Sequence, residues 1–258
     1  MQGLRFASLG SGSRGNAMVV ETRNTKVLLD CGFGPRELSA RLACLELAPD
    51  DFDAIVVTHE HSDHSAGVLK CARRHHLNIY LTHGTLAAMH CADGDLSLAC
   101  PIDSHQPFAI GELEIHPFPV PHDAREPVQF VFSDGLHSLG VLTDIGCVTP
   151  HTVDMLNRCD ALVLECNHDT EMLARSTYPK VLKQRISGRY GHLDNQASAA
   201  LLSALDRSRL QHVIAAHLSE QNNTPQLARM ALAGVLGCQT EWIGVATQEK
   251  GFPWRELR

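Results

Sequence analysis

Four short apolar runs along the chain each stop at a residue able to carry chemistry. Phe52 to Thr58 (FDAIVVT) places Ile55, Val56 and Val57 in unbroken succession before His59. Leu139 to Thr143 (LGVLT) stops at Asp144, Ala161 to Leu164 (ALVL) at Glu165, and Val213 to Ala216 (VIAA) at His217. An apolar run without alternation predicts a strand covered on both faces, because successive side chains point to opposite sides. Polar groups at the carboxyl ends of such strands converge on one edge of a sheet, where α/β folds build their sites.

Helical patterns lie between the runs. Ser62 or Asp63 predicts the cap of a helix running through Val68 and Leu69 to about His75. Thr224 followed by Pro225 predicts a second cap, with proline at the first helical position, opening QLARMALAGVL. Gln196 to Leu205 reads as a further apolar helix. The opening of the chain differs: Leu4 to Leu9 as a strand, the glycine-rich turn GSGSRGN, then Ala17 to Glu21 and Lys26 to Asp30 as a strand pair. A β-rich start followed by alternating elements predicts an α/β fold. With no short repeat, low-complexity tract or linker, one domain over residues 1–258 is expected, and two similar halves remain open.

Composition sets the surroundings. Nine cysteines, an odd number scattered singly with no CxxC pair, argue against a disulfide framework and a structural cysteine zinc site, and predict a reducing cytoplasm. Glycines 10, 12 and 15 interrupt the stretch where a signal peptide needs an apolar run, and no segment approaches the ~20 apolar residues of a membrane span. A net charge of −7 excludes the basic footprint of a stable nucleic-acid binder, so a nucleic-acid substrate would be held transiently, by local attraction.

Sixteen histidines are the unusual feature, and three of them crowd with an aspartate into His59-Glu60-His61-Ser62-Asp63-His64. On an extended segment His59 and His61 point the same way, and once the chain turns helical Asp63 and His64 can face back across the same pocket. Imidazoles and carboxylates without thiolate suit divalent zinc, manganese or iron, in an open site rather than a closed structural one.

This HxHxDH stretch resembles the signature of the metallo-β-lactamase fold, and further motif positions follow in order: Asp30 at a strand end upstream, His122 after FPVP, Asp144 in LTDIG and His217 in AAHLSEQNN. LGSGSRGNA, VPHDAREP, ECNHD and YPKVLKQRISGRYGHLDNQAS resemble the small WalJ/YycJ-type hydrolases over nearly the whole chain. The resemblance implies a four-layer αβ/βα sandwich with two divalent ions, Zn2+ or Mn2+ with Fe also open. His59, His61 and His122 would hold one ion and Asp63, His64 and His217 the other, with Asp144 bridging and Asp30 supporting a ligand imidazole. It implies phosphodiester hydrolysis, including 5′ to 3′ exonuclease action on DNA or RNA, by attack of a metal-bridging hydroxide that Asp63 could orient.

His192 in GRYGHLDN is placed by the resemblance at the edge of the metal centre without being a ligand, which makes it the candidate for protonating the leaving oxygen; a helix cap near Asn195 and Gln196 is its other reading. No acid falls between Glu171 and Asp194, so Arg175, Lys180, Lys183, Arg185 and Arg189 form a locally basic segment. Lys183, Arg185 and Arg189 are candidate phosphate contacts, or equally a solvated helix face. Aromatic content of 5% argues against extensive base stacking.

The interval from Asp144 to His217 is too short for the large insert of β-CASP nucleases, and the stretch beyond His217 is too short for the helical domain of glyoxalase II-type enzymes. His64 argues for two ions over lactamases lacking a histidine there. The SGSRGN loop lacks the lysine and spacing of a P-loop. Three other readings stay open: a small-molecule (cyclic) phosphodiesterase, a mononuclear iron oxidoreductase of the persulfide dioxygenase kind using His59, His61 and His122, and a non-catalytic signalling accessory with a degraded site, against which the presence of every expected ligand position argues. Oligomeric state is not legible.

Overall fold

In a computed structural model that describes residues 3–89 and 97–258, the apolar runs form the middle strands of two seven-stranded sheets. The first sheet has the order β14-β1-β2-β3-β4-β5-β6. Its strands are β1 (Arg5–Gly10), β2 (Ala17–Glu21), β3 (Lys26–Leu29), β4 (Ala54–Val56), β5 (Asn78–Thr82), β6 (Ala99–Ile102) and β14 (Phe252–Glu256). The second has the order β13-β12-β11-β10-β9-β8-β7. It comprises β7 (Phe108–Ile110), β8 (Leu113–Pro119), β9 (Val128–Ser133), β10 (Ser138–Leu142), β11 (Ala161–Glu165), β12 (His212–Ala216) and β13 (Gly244–Val245).

Both sheets follow one plan. An antiparallel meander, β1 to β3 or β7 to β10, leads into a parallel ladder, β3 to β6 or β10 to β13. The two halves left open by the sequence are therefore visible as repeated topology, with β14 returning to pair with β1.

Alternation explains why the runs are unbroken. Ala54 and Val56 on β4, Val163 on β11 and Ile214 on β12 enter one core between the sheets. Their neighbours Ile55, Leu162 and Val213 enter two outer cores. The first outer core lies under α1 (Pro35–Ala43), α3 (Val68–His75) and α4 (His83–Ala88); the second lies under α5 (Pro150–Leu156), α8 (Asn195–Ala204) and α9 (Pro225–Leu236). The arrangement is the expected αβ/βα sandwich. Each fully buried Val, Leu or Ile contributes about 1.5–3 kcal/mol through lost water contact.

The expected helix from Ser62 to His75 is two helices, α2 (Ser62–Ser65) and α3, separated at Ala66 and Gly67. Neither Ser62 nor Asp63 caps it: His61 holds the cap position of α2, with no side-chain cap bond. Close packing accounts for the glycine at the break, since a Cβ on Gly67 would lie 2.0 Å from the Phe33 carbonyl oxygen. Thr224 does cap α9, its hydroxyl accepting from Leu227 N, with Pro225 first in the helix. Two short helices complete the chain, α6 (Thr170–Arg175) and α7 (Lys180–Ile186).

Among the described residues no helix is long and apolar enough to cross a membrane. Eight cysteines there are free; Cys91 lies outside the described residues.

Candidate metal centre

The carboxyl ends of β3, β4, β10, β11 and β12 deliver Asp30, His59, Asp144, Glu165 and His217 to one edge of the sandwich. Asp30 and His217 take left-handed backbone conformations there, φ 58° and 53°. Such non-glycine conformations cost about 1–3 kcal/mol and persist where surrounding contacts dictate them. At Asp30 those contacts are explicit: Thr58 donates to its carboxylate from both N (2.8 Å) and Oγ1 (2.9 Å), and His64 Nδ1 lies 2.8 Å from Oδ2.

The same logic orients the other rings. His122 Nδ1 donates to the Gly191 carbonyl (3.0 Å), and Thr58 Oγ1 bonds His59 Nδ1 (3.0 Å). These bonds leave His59 Nε2, His64 Nε2 and His122 Nε2 for the site. His59, His61 and His122 then offer ring nitrogens within 4.8 Å of one another, as do donor atoms of Asp63, His64 and His217. Asp144 joins His59 and His64 in a third such set, and Glu165, His192 and His217 in a fourth.

Divalent cations fit this donor set. His59 Nε2 and Asp144 Oδ2 are buried without a hydrogen bond, although Oδ2 lies 3.1 Å from His64 Nε2. An unpaired buried polar atom is costly, and a bound cation removes that cost.

Neighbouring charge divides the histidines. Burial pushes His59 far below its usual pKa, reinforced by His64, and burial also lowers His122. Burial acts the same way on His64 and His217, but carboxylates outweigh it: Asp144, Asp30 and Asp63 hold His64 well above its usual range. For His217, Asp144, Asp63 and Glu165 raise the pKa to about 10. In return, although burial opposes it, His217 and His64 hold Asp144 well below the usual carboxylate range.

Glu165 is a site residue that sequence reasoning noted only as a strand end. Fully buried, it accepts from Ile145 N (2.9 Å) and Leu193 N (3.2 Å), and its Oε1 lies 2.7 Å from His192 Nδ1. His192 does not cap α8; Asp194 does, accepting from Gln196 N and Ala197 N. Burial lowers the His192 pKa, but Glu165 and Asp144 more than compensate and leave it raised.

Asn16 was likewise missed. Its Nδ2 donates to Asp63 Oδ2 (3.1 Å), its main-chain N donates to the Asp63 carbonyl, and Ser11 Oγ accepts from His217 N. The SGSRGN loop thus braces the centre, and Gly32 permits the approach: a Cβ there would lie 1.8 Å from the Asp63 carbonyl oxygen.

A cleft of about 360 Å³ opens onto the cluster, lined by His61, Asp63, Asp144, His192 and His217. Of the basic segment, Arg185 lines it, with Nε 2.6 Å from Asp123 Oδ2. Lys183 Nζ instead donates to the Ala174 carbonyl (2.7 Å), Arg175 pairs with Glu171, and Arg189 is exposed outside the lining.

The sequence pattern of the β-lactamase superfamily domain matches residues 25–217, from before Asp30 through His217. The chain belongs to the metallo-β-lactamase superfamily. It is accordingly a metal-dependent hydrolase. Exodeoxyribonuclease YycJ of Bacillus anthracis is 35% identical over 256 residues, covering 97% of this chain and 91% of that protein. Exodeoxyribonuclease WalJ of Streptococcus pneumoniae is 33% identical over 247 residues, covering 94% and 92%. The metallo-β-lactamase fold protein YhfI of Bacillus subtilis superposes with a TM-score of 0.75 at 15% identity, covering 99% of this chain and all of that one, a likeness of fold.

Proposed function

We propose that this superfamily member is a dinuclear phosphodiesterase that degrades nucleic acid from its ends, a 5′ to 3′ exonuclease acting on DNA. The observation that carries the reading is the pair of three-ligand sets bordering Asp144 beneath one cleft. Support for DNA comes from the exodeoxyribonuclease names of the two relatives.

His59, His61 and His122 would hold one ion and Asp63, His64 and His217 the other, with the Asp144 carboxylate close to both sets. Zinc or manganese suits the donors, and iron is compatible with them. When bound, two such ions lower the pKa of water and neutralise phosphodiester oxygens. Asp30 fixes His64 through Nδ1 so that Nε2 faces inward. Asp63, held by Asn16, also orients the attacking water.

His192, anchored to Glu165 through Nδ1, turns Nε2 to the cleft and delivers a proton to the leaving oxygen. Although burial opposes it, Glu165 and Asp144 raise the His192 pKa above its usual value, which favours the protonated form that a general acid needs. Arg185 contacts a substrate phosphate, and the acidic surface keeps binding transient. Free thiols suit a reducing cytoplasm.

A metal-reconstituted screen across end-labelled DNA and RNA, bis-p-nitrophenyl phosphate and a β-lactam tests the reading. Stepwise shortening of DNA from the 5′ end is expected. Hydrolysis of the β-lactam without cleavage of any phosphodiester contradicts it.

A further inference from the structure

The apolar side chains of α7 have no place in the folded core. The helix has no buried residue. Leu182 and Ile186, four residues apart on one helical face, and Tyr178, four residues before Leu182, are half-buried and line the cleft. None of the three belongs to the core clusters or to the partly buried apolar residues packed on them, among the described residues. One cleft therefore combines a buried end of imidazoles and carboxylates with an apolar, partly aromatic wall.

We propose that this wall is a nucleoside subsite: Tyr178, Leu182 and Ile186 receive the base of the terminal nucleotide, and Arg185 meets an adjoining phosphate. The inference rests on the phosphodiesterase reading above and names the part of the substrate that the cleft grips.

Three observations favour a nucleotide as the occupant. With divalent ions bound at its buried end, the cleft would attract an anionic group there and a flat, apolar one along the wall, which describes a phosphate joined to a base. The volume, about 360 Å³, falls at the small end of ligand pockets and suits one nucleotide rather than the side of a duplex. Arg185 supplies charge complementarity: its bond to Asp123 uses Nε, so both terminal NH2 groups are left to face a phosphate.

The wall is also tied to the proton donor. His192 N donates to the Ile186 carbonyl (2.8 Å), so α7 runs directly into His192. A base seated on α7 would place the terminal linkage beside that imidazole. The low aromatic content is consistent with one stacked base and not a long platform.

The test compares two single-stranded DNA oligonucleotides that differ only in whether the terminal nucleotide at the attacked end carries a base or is abasic. With the metal-loaded protein, the abasic end should lower kcat/KM by roughly 5- to 150-fold, the factor expected from a stacked base. In Tyr178→Ala combined with Leu182→Ser that ratio should collapse towards one. A wild-type ratio near one overturns the subsite while leaving phosphodiester cleavage standing. A variant that loses activity on both substrates with the ratio intact also overturns it, since the loss is then structural. Failure to cleave either oligonucleotide overturns the underlying phosphodiesterase reading, and the subsite with it.

Discussion

His59, His61 and His122 form one set of close donor atoms, and Asp63, His64 and His217 form another. Around His61 and His122 the nearest carboxylates, Asp123 and Asp144, lie at 3.6 Å or more. His64 instead has Asp30 at 2.8 Å and Asp144 at 3.1 Å, and His217 has Asp144, Glu165 and Asp63 within 3.4 Å. Buried imidazoles consequently differ in proton affinity. Burial lowers the pKa values of His59 and His122, whereas carboxylates raise those of His64 and His217, so protons compete more strongly with a cation for the second set. What a histidine does here is decided by the carboxylates packed against it.

The strongest way to break the contrast is to delete the residue that borders both sides. Asp144→Ala should lower metal content and hydrolysis together, by more than the ~10²-fold that loss of an outer ligand partner costs. Full activity in that variant, measured beside metal analysis, would end the two-ion account. His192→Ala should keep both ions and lower turnover by about 10²- to 10⁴-fold on an unactivated nucleotide linkage. The loss should be much smaller on a p-nitrophenyl ester, whose leaving group needs no proton. A lost ion, or equal losses on both substrates, contradicts the role of His192.

Asp30→Asn sharpens the comparison by weakening only the carboxylate-rich side. Metal titration should show affinity reduced about 10- to 100-fold for one ion and little changed for the other. The protons give a further measure. The folded-state pKa of His217, about 10, lies above the unfolded value near ~6.5. Its protonation thus stabilises the metal-free protein fully below ~6.5, and the contribution is lost as pH rises through about 10. The urea midpoint of the metal-free form should fall across that window, and His217→Asn should flatten the fall. The smallest effect is expected at the rim: Arg185→Glu should weaken binding of long DNA and reduce its salt slope by about one, while Lys183→Glu should do less. Equal effects would place both side chains in the same field.

That the motif residues come together was legible because their order along the chain carries the superfamily pattern; the bonds that fix their rings were not. Glu165 ends an apolar run just as Asp144 and His217 do, so a signal existed. Its partnership with His192 and His217 depends on parallel register, with Glu165 opposite Ala216, which no local pattern specifies. Asn16 lies 47 residues from Asp63 and meets it only through tertiary packing. The break between α2 and α3 was hidden for the same reason, because the contact at Gly67 comes from Phe33. Strands and the α9 cap were readable because apolar runs and a Thr-Pro pair act locally.

The most direct test of the central claim is to titrate metal-free protein with zinc or manganese while following bound ions by native mass spectrometry and hydrolysis of end-labelled DNA. Two ions per chain, with cleavage rising as the second binds, are predicted. Saturation at one ion per chain with full activity would contradict the account.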